Sequence, residues 1–158
     1  MKVSERGRDM ITAFEGLELK AYKCPAGVWT IGVGHTGEVY GQPVKRGMEI
    51  TAAQAEWLLS RDLEPIERYL GDQPFAARLK QCQFDALASF IFNVGRGAFE
   101  TSTMRRKLCL AAADEEVAEE FGRWVFATVK GKKVELAGLV SRREQERARF
   151  LATPCNVI

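Results

Sequence analysis

Near its N-terminus the chain carries an acid and two further polar residues at the spacing Glu-x8-Cys-x5-Thr. They are Glu15, Cys24 and Thr30, in the segment FEGLELKAYKCPAGVWTIGVGHTG. A carboxyl group just after an amphipathic helix can donate a proton, and polar groups on a β-ribbon can position water opposite it. The spacing therefore indicates a cleft with an acid on one wall and water-positioning groups on the other.

Each of these residues also has a simpler interpretation. Most glutamates are surface charges, so Glu15 taken alone is a solvated carboxylate at a helix end. Cys24, just before Pro25, can be a small apolar residue, because buried free cysteine is common. Threonine favours strands whatever its function, so Thr30 taken alone is a strand former.

The elements that must position these residues follow from the sequence pattern. Ser4 is a candidate N-cap for an amphipathic helix that ends near Gly16. Between Leu19 and Tyr40, glycines separate short β-type runs such as residues 28–31. This pattern predicts a small twisted antiparallel sheet with tight turns.

A long helix is predicted next. The segment Thr51-Ala52-Ala53-Gln54 matches a capping box, and apolar residues at helical spacing continue the pattern over about 51–70. Pro65 lies inside this pattern, so we expect it to break or kink the helix. At about 1.5 Å per residue the helix is long enough to connect two lobes.

The rest of the chain is predicted to be mostly helical. The stretch 76–94 is the most apolar and predicts a helix buried on all sides. Asp114 is expected to cap a shorter helix, and residues 131–133 to form a turn. A last helix covers about 139–151 and stops at Pro154.

These elements together predict an α+β architecture in a single domain over residues 1–158. An N-terminal lobe of about 15–60 holds the small antiparallel sheet. The long helix joins it to a larger helical lobe of about 70–158, which also takes in the N-terminal helix. A cleft between the lobes is where a polymer would bind.

The composition narrows the class of protein. The chain has 158 residues, of which 46% are hydrophobic and 28% charged, as is typical of a soluble globular protein. A net charge of +2 is too small for a nucleic-acid-binding protein, which needs a concentrated basic stripe. The cysteines form no CxxC pair, so we expect free thiols, without a zinc site or disulfides. The four are Cys24, Cys82, Cys109 and Cys155.

The segment around Glu15 resembles the catalytic segment of the phage-type lysozymes, the endolysins of glycoside hydrolase family 24. The resemblance covers nearly the whole chain. QFDALASFIFNVGRGAF resembles the family's buried central helix, and Arg123-Trp124 and GLVSRREQERARFL resemble the C-terminal helices of prophage lysozymes. The resemblance implies a lysozyme-like fold. It also implies an enzyme that lyses the host cell by cleaving the β-1,4 bond between N-acetylmuramic acid and N-acetylglucosamine in peptidoglycan.

The resemblance also assigns catalytic roles. Glu15 matches the general acid, and it must keep its proton near neutral pH, which partial burial beside Phe14 and Leu17 favours. Thr30 matches a threonine that holds the attacking water on the opposite ring face, which implies inversion. Cys24 stands where the family commonly has aspartate, and a free thiol is mostly neutral at pH 7. Three roles are therefore open to Cys24: a thiolate, if the site lowers its pKa; a weak hydrogen-bonding partner of the water; or, as the least favoured of the three, a nucleophile.

Supporting and substrate-binding residues follow from the same resemblance. His35, the only histidine, is expected to pair with Asp62 in a structural ion pair. Arg142, or Arg143 one residue on, matches an arginine that contacts the catalytic glutamate. The alternative is a solvated basic helix face. Three residues fall where family members contact saccharide: Phe92, Ser102 and Thr103. A plain core position is an equal alternative for Phe92.

Partners and location are also expected from the sequence. Arg6, Arg8 and Asp9 interrupt any apolar run at the N-terminus, so we expect no signal peptide and no stable membrane insertion. The resemblance then implies a protein that accumulates in the host cytoplasm. It reaches the periplasm and the peptidoglycan when a separate phage holin opens the membrane. We expect a monomer, with no nucleic-acid partner and no cofactor or metal, because the chemistry is acid–base only.

Two other functions stay open. A lytic transglycosylase forms 1,6-anhydro products without water and can work with one glutamate, which the loss of the usual aspartate at Cys24 allows. A non-enzymatic wall-binding remnant would have lost its catalytic site, although Glu15 and Thr30 remain. A zinc amidase would need several His or Cys ligands, which a single histidine does not provide.

Overall fold

The computed structural model describes residues 1–153, and Pro154 and Cys155, on which two of the expectations fall, lie outside them. Within the described residues the chain forms mostly helices. These are α1 (Glu5–Glu15), α2 (Ala52–Gly71), α3 (Gln81–Val94), α4 (Arg96–Glu100), α5 (Thr103–Cys109), α6 (Asp114–Glu119) and α7 (Ala137–Leu151). The strands are β1 (Glu18–Lys23), β2 (Trp29–Gly32), β3 (Glu38–Val39), β4 (Gln42–Pro43), β5 (Phe126–Val129) and β6 (Lys132–Glu135). The α+β class predicted from the sequence is confirmed.

The chain divides into two compact units. One is Arg8–Pro65, with the first four strands, and the other joins Met1–Gly7 to the chain from Ile66 onward. The division falls inside α1, whereas sequence reasoning grouped the whole of that helix with the later helices. It also falls inside α2, which runs without interruption through Pro65.

The start of α1 belongs with the later helices because its cap is held by a buried acid. The Ser4 hydroxyl accepts from the Gly7 amide at 3.2 Å, as expected of an N-cap, and donates to Asp85 of α3 at 2.5 Å. Asp85 is fully buried and also accepts from Arg149 at 2.6 Å. A Cβ atom at Gly7 would lie 2.8 Å from the Asp85 carboxyl carbon, so only glycine fits this close approach.

The strands of the Arg8–Pro65 unit pair as two separate hairpins, not as the single sheet that was predicted. β1 pairs antiparallel with β2, and β3 with β4. Isolated bridges, Lys20 to Glu49 and Ile31 to His35, extend the pairing. A small apolar core lies beneath the hairpins. Its buried members are Ile31, Val39, Val44, Ile50, Ala55 and Leu58.

The predicted capping box at the start of α2 is confirmed. The Thr51 amide donates to Gln54 Oε1 at 2.8 Å, and the Gln54 amide donates to Thr51 Oγ1 at 3.2 Å. The predicted break at Pro65 is wrong, because the helix continues to Gly71. Proline removes one backbone hydrogen bond, but buried leucines on both sides of it, among them Leu63 and Leu70, hold the helix in place.

The core of the other unit is aromatic and centres on α3. Phe90 lies edge-on to Phe99, Phe121 and Trp124, with ring centres 5.4 to 6.3 Å apart. Every residue from 82 to 91 is buried, which confirms the prediction of a helix buried on all sides. The α-helix nevertheless begins five residues later than predicted, at Gln81, after a 3₁₀ turn over Ala76–Arg78.

A hairpin in this unit was missed. β5 and β6 pair antiparallel around a two-residue loop, Lys130-Gly131, in which both residues have positive φ (49° and 76°). Sequence reasoning placed a turn over residues 131–133 but no strands, because the strands are short and exposed and lack an apolar face. Asp114 is the first residue of α6, not its cap, and its carboxylate pairs with Lys80 at 3.0 Å.

No helix in the described part of the chain is long and apolar enough to cross a membrane.

Candidate functional site

Glu15 is the last residue of α1 and is half-buried. Gly16 follows with a φ of +82°, and its amide donates to the Thr12 carbonyl at 2.9 Å, which ends the helix. This left-handed glycine turns the chain from the helix into β1. Leu17, expected to bury the carboxyl group in part, is itself 45% exposed.

Cys24 lies at the base of the β1–β2 hairpin. Its amide donates to the Val28 carbonyl at 3.0 Å, and its carbonyl accepts from the Gly27 amide at 2.8 Å. Pro25, Ala26 and Gly27 thus form a three-residue loop, and Gly27 has the positive φ (+78°) that such loops require of their last residue. The loop fixes the position of the Cys24 thiol relative to β2.

The hairpin register brings Thr30 close to Cys24. Tyr22 pairs with Thr30 and Lys23 with Trp29, so that Cys24 follows directly on the paired residues. The pKa of the Cys24 thiol lies below its usual value, chiefly because the Val28 backbone donates a hydrogen bond to the sulfur. Partial burial opposes this effect, while the Ala26 backbone and the Thr30 side chain add to it.

Thr30 is almost fully buried, and its hydroxyl donates to the Val28 carbonyl at 3.1 Å. A hydroxyl has a single proton, so it donates either to Val28 or to the Cys24 sulfur. Ionisation makes the sulfur the stronger acceptor and favours the second arrangement. Cys24 and Thr30 therefore form one coupled polar pair, in the same unit as Glu15.

The predicted pairing of His35 with Asp62 is present. The His35 Nδ1 atom lies 3.0 and 2.9 Å from the two Asp62 carboxylate oxygens, and Nε2 lies 3.3 Å from the Glu38 carbonyl oxygen. Both ring nitrogens are therefore engaged within the fold. The structural role of His35 stays a prediction.

Arg142 and Arg143 are 5% and 1% exposed, so the alternative of a solvated basic helix face is wrong. Both pair with Glu146, one turn further along α7: Arg142 Nε lies 3.1 Å from its Oε1 atom and Arg143 Nε 2.9 Å from its Oε2 atom. The Ser89 hydroxyl also donates to Glu146 at 2.7 Å. The Arg143 guanidinium lies 4.9 Å from the centre of the Phe90 ring.

Glu146 was missed by sequence reasoning. It is fully buried, and burial raises its pKa, which Arg143, the Ser89 hydroxyl and Arg142 oppose. Its spacing to the arginines, i+4 and i+3, is the signal that could have found it. That spacing occurs on many solvated helices, so the sequence alone does not reveal the burial.

The three residues expected to contact saccharide lie in or near α3 and α5. Phe92 is half-buried, which is not the full burial of a core residue. Ser102 is the N-cap of α5: its hydroxyl accepts from the Arg105 amide at 3.1 Å and donates to the Phe99 carbonyl at 2.6 Å. Thr103, the next residue, is half-buried at the first turn of that helix.

Comparison with known proteins identifies the family. Residues 12–146 match the family model described as phage lysozyme, which takes in the helix end, the hairpin and the buried arginines described above. The chain belongs to the phage lysozyme family.

Relatives of similar length support this membership. The endolysin of Acyrthosiphon pisum secondary endosymbiont phage 1 is 42% identical over 150 residues, which cover 95% of this chain and 98% of the relative. A crystal structure of a P22 lysozyme variant is 40% identical with a TM-score of 0.84, covering 96% of this chain and 99% of that one. The endolysin of Escherichia coli O157:H7 phage FAHEc1 is 40% identical with a TM-score of 0.80, covering 96% and 94%. This phage lysozyme family member is accordingly an enzyme.

Proposed function

We propose that this enzyme cleaves the β-1,4 bond between N-acetylmuramic acid and N-acetylglucosamine, with Glu15 as general acid and with Cys24 and Thr30 positioning the attacking water. Family membership makes the chain a peptidoglycan hydrolase and assigns it to host lysis. The roles proposed for these residues rest chiefly on the coupled Cys24–Thr30 pair at the base of the β1–β2 hairpin.

The general acid must protonate the leaving oxygen while the glycosidic bond breaks. Glu15 is suited to this role because the backbone of α1 fixes its position and Gly16 turns the chain directly after it. A carboxyl group held by a helix end has fewer orientations than one on a mobile loop. A fixed proton donor contributes more to the rate than one that has to be ordered first.

The attacking water needs an acceptor and a fixed position. A lowered pKa increases the thiolate fraction of Cys24, and a thiolate accepts a hydrogen bond from water more strongly than a thiol does. The Thr30 oxygen keeps lone pairs that can accept a second hydrogen bond from the same water. The pair thereby supplies the water-holding function that an aspartate and a threonine supply in the family. Water delivered to the ring face opposite the acid inverts the anomeric centre.

The remaining assigned residues act in support of this reaction. Arg142 and Arg143 are proposed to act as supporting residues, as the resemblance to the family implies, and their burial with Glu146 fixes the two guanidinium groups. Phe92 and Thr103 are proposed to contact the saccharide. Ser102 contributes indirectly in this scheme, because its hydroxyl is occupied in the cap of α5.

The protein is proposed to act as a monomer that accumulates in the host cytoplasm and depends on a holin for release. The support is its similarity to phage endolysins along most of their length. Expression in a bacterial host without a holin should leave the culture turbidity unchanged until the inner membrane is permeabilised. Lysis without permeabilisation would contradict this part of the proposal, and light scattering during size-exclusion chromatography would determine the oligomeric state.

The catalytic assignment is tested with Glu15→Gln, which removes the proton donor and keeps the shape of the side chain. We expect the release of reducing ends from purified peptidoglycan to fall by roughly 10²- to 10⁴-fold, the usual contribution of a general acid. Glu18→Gln is the matched control, because Glu18 is an exposed acid three residues further on, in β1. Equal activity of the Glu15→Gln variant and the wild type would contradict the assignment.

A further inference from the structure

A surface cavity of about 580 Å³ lies within the Arg8–Pro65 unit, and its lining does not include Glu15, Cys24 or Thr30. It is formed by residues of the β3–β4 hairpin and of α2. Side chains that can bind a ligand line it: His35, Glu38, Tyr40, Trp57, Arg61 and Asp62.

An exposed aromatic stack forms one side of this cavity. The rings of Tyr40 and Trp57 are nearly parallel, with centres 5.1 Å apart and planes 21° from each other. The Arg61 guanidinium lies 5.1 Å from the centre of the Trp57 ring. Tyr40 is 62% exposed and Trp57 is 39% exposed, so the stack leaves a large aromatic surface open to solvent. Two rings and a guanidinium that hold one another in place form a pre-organised platform.

The backbone at Tyr40 is in an unfavourable conformation for its residue type. Val39 pairs with Gln42, so Tyr40 and Gly41 form a two-residue hairpin loop, and both have positive φ (49° and 78°). Loops of this kind favour Asn-Gly, because asparagine adopts a left-handed conformation more easily than tyrosine does. The needs of the hairpin loop therefore do not explain why a tyrosine occupies position 40. Its ring is directed onto Trp57, which indicates a role for the platform itself.

The charges around the platform limit what it can bind. Asp62 is paired with His35, and the remaining charged groups, Glu38 and Arg61, have opposite signs. A phosphate or another anion would be repelled by the carboxylates of Glu38 and Asp62. A purely apolar ligand would remove water from the charged groups without replacing its hydrogen bonds. A neutral ligand with one apolar face and several polar edges fits both features. A pyranose ring has such a face, and its hydroxyl and N-acetyl groups can bond to a carboxylate and a guanidinium.

We propose that this cavity is a second glycan-binding site, which stacks an N-acetylated sugar of the cell-wall polymer on Tyr40 and orients it with Glu38 and Arg61. The proposal rests on the proposed function for the identity of the polymer. Binding a second segment of an insoluble polymer raises the effective concentration of the first segment at the catalytic residues. The site thus keeps the enzyme on the wall between cleavage events.

The test measures binding in a variant that is expected to cleave the probe far more slowly than the wild type does. Nitrogen-15 spectra of the Glu15→Gln variant are recorded while triacetylchitotriose is added to about 10 mM, since single-sugar contacts are weak. We expect saturable shifts of the Trp57 indole N–H and the Gly41 amide. In the same background, Tyr40→Phe keeps the ring and should leave the Kd at this cavity within about twofold of the Tyr40 protein.

Tyr40→Asn removes the ring but suits the left-handed backbone, so the hairpin is expected to stay folded. We expect it to weaken binding at the cavity by roughly three- to tenfold, and Arg61→Gln, at an exposed position on α2, to weaken it as well. Unshifted Trp57 and Gly41 signals, or unchanged binding in both Tyr40→Asn and Arg61→Gln, would overturn the proposal. The failure of the proposed function would be seen separately, as absent reducing ends with wild-type enzyme.

Discussion

The buried group of Glu146, Arg142 and Arg143 leads to a stability prediction for Glu146→Gln. The substitution removes the negative charge from a fully buried carboxyl group that faces two buried guanidinium groups at 3.1 and 2.9 Å. Gln keeps nearly the same shape, so no cavity forms. The two positive charges then lose the carboxylate that they share, and the protein interior does not replace it with water.

The magnitude follows from the partners that remain. Removing one member of a buried ion pair typically costs about 3–5 kcal/mol. Arg142 still donates to the Ser89 carbonyl at 3.2 Å, and Arg143 to Asn93 Oδ1 at 2.7 Å. Each guanidinium thus keeps a polar contact, and the substitution also relieves the burial cost that raises the pKa of Glu146, so we expect the low end of the range, about 3 kcal/mol. For a chain of this length that loss lowers Tm by roughly 6–12 °C.

Equilibrium unfolding in urea, followed by circular dichroism, measures this loss directly. Glu144→Gln is the matched control on the same helix, because Glu144 is exposed and its substitution should change stability by less than about 0.5 kcal/mol. In a double-mutant cycle, Ser89→Ala should couple to Glu146→Gln, since the two side chains are joined by a 2.7 Å hydrogen bond. A loss below about 1 kcal/mol at unchanged m-value would refute the reasoning that the carboxylate holds both arginines.

Three further predictions concern single contacts. Because the pKa of its thiol is lowered, Cys24 should reach half-maximal alkylation by iodoacetamide at a lower pH than N-acetylcysteine does. The Thr30→Val substitution should raise the pH of half-maximal alkylation of Cys24. A midpoint pH for Cys24 at or above that of N-acetylcysteine would contradict the prediction. Asp62→Asn should destabilise the fold by about 1 kcal/mol, because it weakens a partly exposed pair with His35; an unchanged urea midpoint would show that the pair adds nothing. Ser102→Ala should cost about 1 kcal/mol in thermal unfolding through the lost cap of α5, and a change near zero would argue against that cap.

Much of the fold could be predicted because local signals were strong. The Ser4 cap, the capping box at Thr51 and the long apolar pattern of α3 each depend on residues close in sequence. Where tertiary packing decided the outcome, local rules failed. Pro65 stays inside α2 because packing on both sides outweighs its missing hydrogen bond, and β5–β6 formed without the apolar alternation that marks a strand.

The candidate site was predicted unevenly for the same reason. The spacing of Glu15, Cys24 and Thr30 could be recognised as a motif, but the lowered pKa of Cys24 depends on the hydrogen bonds of a particular hairpin loop. In the sequence, Glu146 cannot be distinguished from the other charged residues of a basic helix, and only the structure shows that it is buried. The Tyr40–Trp57 stack joins a hairpin loop to a helix, and no local pattern indicates such a contact.

The central claim is that water, held by Cys24 and Thr30, attacks the anomeric carbon while Glu15 protonates the leaving oxygen. The most direct test is product analysis after digestion of purified peptidoglycan in oxygen-18 water, with the wild type, Cys24→Asp and Cys24→Ala. We expect label at the new reducing end, activity in Cys24→Asp and a strong loss of activity in Cys24→Ala. Unlabelled 1,6-anhydro products from the wild-type enzyme would contradict it, because no water would then take part in the reaction.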